Sequence, residues 1–211
     1  MIFKIVMPRN VIHTFGDSHA DKHHSHWGNI NNANIITHHL GGRLMYTFGK
    51  QGLKLCNIKN FGVNENDIVI FCFGEIDCRT HVFKHITNEN SYQEIITEIV
   101  INYFKAIHEN VKQYENLSVS VYNVIPPTRG FYCAPDHPYP FLGTNEERKT
   151  YYTFMNEQIK NLCKKHNYFY FDIYDACCDE EGFLKKEYSD GNVHLRNTEH
   201  STKVVNDLIN R

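Results

Sequence analysis

The feature that most constrains the fold is an apolar run in the first half of the chain, DIVIFCF, from Asp67 to Phe73. The run is rich in β-branched and aromatic residues and shows no polar alternation, which predicts a strand covered on both faces. Gly74 follows directly and marks its end. A strand buried on both faces belongs to a sheet with helices on both sides, which is the usual setting of parallel strands.

Four further short apolar segments share this character and are separated by polar stretches or by helical patterns. The predicted strands are Val11–Phe15, Asn34–Thr37, Asp67–Phe73, Leu117–Val124 and Tyr168–Ile173. Strands that alternate with helices predict βαβ units, and hence a parallel sheet. The chain shows no internal repeat and no linker, so we predict one doubly wound α/β domain over residues 1–211.

Three helices are predicted between and after these strands. Residues Ser91–Glu115 place apolar side chains on one face at helical spacing, and Ser91 with Glu94 forms a capping-box pattern at the start. Thr144 and Glu147 repeat that pattern before a second long helix. The segment Thr202–Ile209 predicts a last, shorter helix.

Charge and cysteine content exclude several classes of function. The 211 residues carry a formal net charge of −2, so the sequence lacks the excess of basic residues that is typical of nucleic-acid-binding proteins. No apolar run is long enough to span a bilayer, and the first ten residues contain Lys4 and lack a signal-peptide cleavage site. Seven cysteines without a CxxC spacing are typical of reduced thiols. We therefore expect a cytoplasmic protein that binds neither nucleic acid nor membranes.

Polar residues cluster where the predicted strands end, which is where ligands bind in open parallel sheets. Gly16-Asp17-Ser18 follows the first strand, and a serine in such a turn can face the cleft as a nucleophile. Asp190 and His194 precede the last helix, where they could supply a base and its orienting carboxylate. The segment FCFGEIDCRT places three charges directly after the buried third strand.

Together these segments resemble the SGNH/GDSL hydrolase superfamily. The order is GDS, a mid-chain glycine, a Gly-x-x-Asp segment after the third strand, and an aspartate and a histidine before the last helix. The resemblance is greatest to a subgroup with a GEIDCR third segment, and it covers Val11 to about Leu195. It implies a three-layer α/β/α, flavodoxin-like sheet of about five parallel strands. It also implies an enzyme that cleaves or transfers acyl esters without a metal or other cofactor.

The resemblance assigns roles to individual residues. Ser18 would be the nucleophile, His194 the general base and then acid, and Asp190 the group that orients His194. The N–H groups of Ser18 and of Gly41 or Gly42 would bind the oxyanion. Other polar residues at these strand ends and in the loop after the fourth strand are candidates for substrate binding. They are Asp17, Glu75, Asp77, Arg79, Arg148 and Asn192.

Two features depart from the superfamily pattern. Ile76 stands where the third segment usually has an asparagine that donates to the oxyanion. Loss of one such donor costs about 10²–10³ in kcat. Either another group, such as Arg79 or Asn192, substitutes for it, or the reaction differs from plain hydrolysis. The usual Asp-x-x-His spacing is also one residue longer here, between Asp190 and His194.

The loop after the fourth strand, residues 126–150, borders the same cleft. Its Arg129 and Arg148 could bind a carboxylate or phosphate, and Tyr132 and Tyr139 could stack on sugar rings. The chain lacks a long apolar channel or amphipathic lid, which favours a small polar ester over a lipid. We expect the partner to be a small-molecule or glycan ester, and the reaction to involve O-acetyl groups of carbohydrate.

Two alternatives stay open at this point. The loss of the asparagine at Ile76 is compatible with a protein that binds a glycan or nucleotide-sugar without catalysis. Asp17-Ser18-His19, Gly74–Arg79 and Gly191–His194 also partly match the pattern of a dinuclear metallophosphoesterase, although the spacings differ. For the histidine-rich segment HHSH, residues 23–26, we predict a solvated loop at the rim of the cleft without a metal.

Overall fold

The computed structural model describes residues 11–31, 33–130 and 136–210. Its centre is one parallel sheet with the strand order β2-β1-β3-β4-β5. The strands are β1 (Ile12–Gly16), β2 (Ile35–His39), β3 (Ile68–Cys72), β4 (Ser118–Tyr122) and β5 (Phe169–Phe171). All five lie within the predicted ranges or within two residues of them. Two predictions concern residues that the structure does not describe: the absence of a signal peptide, which rests on residues 1–10, and sugar stacking by Tyr132.

Helices cover both faces of the sheet. They are α1 (Met45–Gln51), α2 (Val82–His85), α3 (Tyr92–Val111), α4 (Asn145–His166), α5 (Tyr174–Cys177) and α6 (Glu199–Ile209). The capping boxes predicted from Ser91 and Thr144 are both present, at the starts of α3 and α4. The fold is therefore a three-layer α/β/α arrangement, as expected.

The central strand β3 shows why both faces are covered. Val69 and Phe71 pack into one core cluster with side chains of α1, α3 and α4. Ile68 and Ile70 face the opposite cluster, which includes Val205 of α6. All five residues of β3 are buried, which explains the continuous apolar run. Because alternate side chains point to opposite faces, each layer receives its own hydrophobic core.

The helices differ from the prediction at two ends and by three short elements, α1, α2 and α5, which were not predicted. The helix predicted over Ser91–Glu115 ends at Val111, and the last helix begins at Glu199 rather than at Thr202. Helix α1 was not predicted, because it is short and contains Gly49. A Cβ on Gly49 would lie 2.9 Å from the backbone of α3, so this glycine permits the close packing of the two helices.

The register of the three strands β2, β1 and β3 places their ends at one level. Gly16, at the end of β1, pairs with His39 on one side and with Cys72 on the other. A Cβ on Gly16 would lie 1.9 Å from the carbonyl oxygen of Cys72, so a side chain here would force the strands apart. The segments that follow, at Ser18, Gly41 and Gly74, therefore leave the sheet side by side.

Within the described residues, no helix is both long and apolar enough to cross a membrane.

Candidate active site

Ser18 lies in a 3₁₀ turn, residues Ser18–Ala20, that begins two residues after β1. The side chain of Asp17 caps this turn by accepting the N–H of His19 at 2.8 Å. The Ser18 hydroxyl is thereby directed to the edge of the sheet, where its Oγ lies 2.8 Å from Nε2 of His194. The tight turn thus joins two residues that are 176 positions apart in the chain.

His194 and Asp190 occupy one short loop that is closed by an antiparallel bridge between Ser189 and Leu195. The N–H of Asp190 donates to the carbonyl of His194 at 3.0 Å. The Asp190 carboxylate lies 2.8 Å from Nδ1 of His194, and it also accepts the backbone N–H groups of Asn192 and His194. The longer Asp-x-x-x-His spacing therefore still places the carboxylate on the imidazole.

These contacts influence the ionisation of both groups. Burial raises the pKa of Asp190, but hydrogen bonds from the His194 side chain and the Asn192 backbone outweigh it, so this pKa lies below its usual range. Burial and the nearby charge of His19 lower the pKa of His194. At neutral pH the pair is thus an ionised carboxylate and a neutral imidazole. A neutral imidazole whose Nδ1–H is held by a carboxylate presents a free lone pair on Nε2 to Ser18.

His19 is the residue of this region that the sequence analysis did not assign. Its Nδ1 lies 2.9 Å from the Asp17 carboxylate and its Nε2 lies 3.1 Å from the carbonyl oxygen of Val193. Both partners accept hydrogen bonds, so both ring nitrogens must carry protons and His19 is an imidazolium. Burial lowers its pKa, but the charge and hydrogen bond of Asp17 outweigh burial and raise the pKa to about 9.

The contact with Val193 links His19 to the loop of the catalytic candidates. The rings of His19 and His194 are 5.0 Å apart, and Val193 is the neighbour of His194 in the chain. His19 therefore holds the loop by its backbone and places a positive charge beside His194. The Asp17-x-His19 spacing was a visible signal, but the carbonyl partner 174 residues away was not.

Gly41 and Gly42 follow β2 beside the turn of Ser18. Tyr139 donates its hydroxyl to the carbonyl of Gly42 at 2.5 Å, which fixes this segment. Among the described residues, none accepts a hydrogen bond from the backbone N–H of Ser18, Gly41 or Gly42. Backbone donors that are free at the end of a parallel sheet suit an oxyanion. Tyr139 itself is anchored by this contact.

The third segment has a different character, because its charges bind one another. Arg79 forms two hydrogen bonds to Glu75, at 2.7 and 3.0 Å, and a further one to the carbonyl of Tyr139. Tyr152 donates to Glu75 at 2.9 Å. Glu75 and Arg79 are both buried. Arg79 is therefore occupied by protein groups and does not replace the asparagine that is missing at Ile76.

Two other residues proposed for substrate binding are also engaged inside the protein. Asp77 is fully buried and accepts the N–H groups of Met45 and Tyr46 at 2.7 and 3.0 Å, so it caps the start of α1. Arg148 is buried and donates to the carbonyls of Leu142 and Gly143. These contacts assign structural roles to Asp77 and Arg148.

The remaining candidates are either buried and paired inside the protein or exposed at its surface. Asp17 is fully buried against His19, as described above. Asn192 is exposed on the loop of His194. Arg129 pairs at the surface with Asp179 and Glu181. Of the two proposed substitutes for the missing asparagine, only Asn192 is exposed.

The segment HHSH is not uniformly a rim loop, which corrects the prediction. His26 is fully buried, its ring lies 4.4 Å from that of Trp27, and burial lowers its pKa to about 3. His23 and His24 are exposed as predicted. The core position of His26 was not visible because a histidine beside other polar residues resembles a solvated one.

A parallel sheet that joins a serine, an imidazole and a carboxylate at the carboxyl edge of its strands has the layout of enzymes that cleave acyl esters. The family model described as GDSL-like lipase/acylhydrolase matches residues 12–202, and the chain belongs to this family. Membership of this family indicates that the protein is a hydrolase. No curated protein sequence matches the chain significantly.

Solved structures of similar fold include several members of this group. A GDSL-like lipase from Bacteroides thetaiotaomicron superposes with a TM-score of 0.62 at 12% identity, over 96% of this chain and 88% of the other. The aryl esterase of M. smegmatis gives 0.55 at 14% identity, over 95% and 97%. A carbohydrate acetylesterase from Sinorhizobium meliloti gives 0.51 at 17% identity, over 95% and 97%. At these identities the likeness is one of fold.

Proposed function

We propose that this protein is a metal-independent serine esterase or acyltransferase that acts on small acyl esters, in particular O-acetyl groups of carbohydrate. The observation that carries the proposal is the hydrogen-bonded chain Ser18–His194–Asp190, with 2.8 Å at each of its two links. Membership of an acylhydrolase family gives the reaction class independent support.

In the proposed reaction, Ser18 Oγ attacks the acyl carbonyl carbon while His194 Nε2 takes the hydroxyl proton. Asp190 stabilises the imidazolium that forms. The carbonyl oxygen becomes an oxyanion and accepts hydrogen bonds from the N–H groups of Ser18 and Gly41 or Gly42. The alcohol then leaves with the proton from His194. Water or a sugar hydroxyl, deprotonated by His194, attacks the acyl-enzyme and regenerates Ser18.

The substrate class is supported by what surrounds Ser18. The segments that carry Ser18 and His194, residues 17–24 and 190–194, are rich in polar side chains, and those of Asn192 and His24 are exposed. Such a surface suits a hydroxyl-rich acceptor more than an acyl chain of many carbons. A carbohydrate acetylesterase is also among the proteins of similar fold.

The test is turnover of p-nitrophenyl acetate in EDTA by the wild type, Ser18→Ala and His194→Ala. Ser118→Ala, at an exposed position on β4, is the matched control. We expect both site variants to lose at least about 10³-fold in kcat/KM while the control keeps its activity. Labelling of the wild type by a fluorophosphonate, with Ser18→Ala unlabelled, would identify the nucleophile. Full activity of Ser18→Ala would refute the proposal.

A second function, binding of a glycan or nucleotide-sugar without catalysis, is favoured by one observation. Ile76 is buried and has no polar group to donate to an oxyanion. This alternative predicts that the wild type reacts with neither the ester nor the fluorophosphonate, but that acetylated or free sugars raise its melting temperature. Rapid labelling of Ser18 would exclude it.

The geometry gives no support to a dinuclear metallophosphoesterase. That mechanism requires Asp17 and His19 as metal ligands through lone pairs. Here the two residues bind each other inside the protein, and His19 donates from both nitrogens.

A further inference from the structure

Three side chains outside the proposed catalytic chain converge at the rim of the cleft. Asp21 follows the turn of Ser18, His24 lies in the next turn, and His39 ends β2. One ligand atom from each, a carboxylate oxygen and two imidazole nitrogens, lies within 4.8 Å of the other two. The proposed hydrolysis uses none of these three groups.

The carboxylate is held in place while the imidazoles are accessible. Asp21 is buried, and its backbone N–H and carbonyl bond to Ser18 and Ser25 at 3.3 and 2.9 Å. Its Oδ1 accepts the N–H of His23 at 3.3 Å. The Oδ2 atom is left to face the two imidazoles. The side chain of His24 is 53% exposed and that of His39 is 34% exposed, so an ion could reach both.

The distances suit a single ion. Oδ2 of Asp21 lies 2.5 Å from Nδ1 of His24 and 3.9 Å from Nδ1 of His39. Tetrahedral ligands at about 2.1 Å from an ion lie about 3.4 Å from one another, which is between these two values. Small rotations of the two exposed imidazoles would give this spacing. The hydrogen bond between His24 and Asp21 would then be replaced by bonds from both to the ion.

We propose that Asp21, His24 and His39 form a binding site for a divalent transition-metal ion of the zinc type. Two imidazoles and one carboxylate are ligands that zinc binds in proteins, whereas magnesium and calcium prefer oxygen ligands. Three protein ligands leave a fourth position for water or another small ligand. The rings of His24 and His194 are 5.9 Å apart, so the ion would border the proposed catalytic cleft.

The site is separate from the proposed chemistry, because the Ser18–His194–Asp190 chain works without the ion. The experiment therefore measures binding and not activity, and it can be done in the Ser18→Ala background. Untagged protein is stripped with EDTA and exchanged into metal-free buffer. Zinc is then titrated by calorimetry in competition with a chromogenic chelator, and cobalt is titrated by visible absorption.

We expect one zinc ion per chain and a cobalt spectrum of tetrahedral intensity. His39→Gln and Asp21→Asn should weaken zinc binding by at least about 100-fold, since even residues behind metal ligands are worth about 10–100-fold in affinity. The matched control is His23→Gln, which removes an exposed neighbouring histidine outside the cluster and should bind zinc as the wild type does. Zinc should also raise the melting temperature of the wild type and of this control, but not that of His39→Gln.

Two results would overturn the proposal. One is the lack of a stoichiometric site in the wild type. The other is a zinc affinity that does not depend on the cluster. Either His39→Gln would bind zinc as tightly as the wild type does, or His23→Gln would lose as much zinc affinity as His39→Gln, and each would indicate adventitious binding by surface histidines. The melting temperature in EDTA shows for each variant that the fold is intact.

Discussion

Two polar clusters lie at the same edge of the sheet and differ in what their polar atoms contact. In the first, Ser18, His194 and Asp190 form a chain of hydrogen bonds that ends at a hydroxyl directed to the cleft. In the second, Glu75 and Arg79 bind each other, and their remaining hydrogen bonds go to tyrosines of the surrounding layers. The first cluster presents a reactive hydroxyl, whereas the charged groups of the second bind each other and other protein groups.

The difference teaches how to interpret charges at strand ends. Ser18 of the first cluster and Glu75 and Arg79 of the second all follow buried strands, and both clusters contain ionisable residues. Their residue types and positions in the sequence therefore do not distinguish them. A buried, hydrogen-bonded ion pair acts on the position of neighbouring loops. Here Arg79 and the adjacent Thr80 donate to the carbonyls of Tyr139 and Pro140, and the Tyr139 hydroxyl in turn donates to the carbonyl of Gly42. The second cluster therefore supports the wall of the cleft while the first carries the proposed chemistry.

The largest expected effect comes from the carboxylate of the first cluster. We expect Asp190→Asn to lower kcat for p-nitrophenyl acetate by about 10⁴-fold, because the amide no longer holds the required His194 tautomer. The asparagine oxygen can still accept the backbone N–H groups that Asp190 binds, so the melting temperature should stay near that of the wild type. A loss of less than tenfold would contradict the role of Asp190.

For the second cluster we expect loss of stability and not of chemistry. Arg79→Met leaves the buried Glu75 carboxylate without its partner and should lower the free energy of unfolding in urea by about 3–5 kcal/mol. The kcat of the folded fraction should remain within about tenfold of the wild type. The double variant Glu75→Leu/Arg79→Met is the control and should recover part of the stability. A stable Arg79→Met variant with no activity would reverse the comparison between the clusters.

A smaller effect concerns two buried histidines with opposite charge states. His26 has a folded pKa of about 3, below the ordinary 6.5, so only the unfolded chain takes up its proton as pH falls from 6.5. Stability should decline by about 2 kcal/mol between pH 6.5 and 5 for this group alone. His19 has a folded pKa of about 9, so its contribution is present below pH 6.5 and is lost as pH rises through 9. The combined contribution of these two histidines to stability, measured in EDTA, should therefore be greatest near pH 6.5.

The matched check on this pH dependence is His26→Gln, measured by urea unfolding at several pH values. In this variant the free energy of unfolding should fall much less between pH 6.5 and 5 than in the wild type, whereas its fall above pH 6.5 should be unchanged. If the variant lost as much stability between pH 6.5 and 5 as the wild type does, groups other than His26 would cause that loss.

The smallest effect is expected at the surface. Arg129 pairs with Asp179 and Glu181 through a side chain that is 40% exposed. Solvent and salt screen such pairs, so Arg129→Ala should change the free energy of unfolding by less than about 1 kcal/mol. The same measurement as for Arg79→Met tests it. A loss as large as that of Arg79→Met would remove the distinction between buried and exposed pairs.

The sequence was sufficient for the sheet and for the proposed catalytic chain, because both leave local signals. A continuous apolar run predicts a doubly covered strand. The order of the GDS, GEIDCR and DGNVH segments predicts that Ser18, Asp190 and His194 act together, and the structure brings the three side chains into contact. The contacts of His19 with Val193 and of Arg79 with Tyr139 join residues 174 and 60 positions apart. Such partners follow from the packing of the whole domain, which no short pattern encodes.

Helix α1 and His26 were missed for a related reason. Helix α1 has only two buried apolar residues, Met45 and Phe48, and owes its start to the distant Asp77. The side chain of His26 is polar but packs in the core against Trp27. In both cases tertiary contacts outweigh the local preference of the chain.

The distance of 176 positions between Ser18 and His194 has a consequence for synthesis and quality control. A chain released before residue 190 would carry the serine without its proposed base, even if the strands had already formed. Turnover by the proposed mechanism would then report complete translation and correct docking of the last segment. Fused to a folding sensor or expressed as two complementing fragments, the protein would switch on only when both ends of the chain meet.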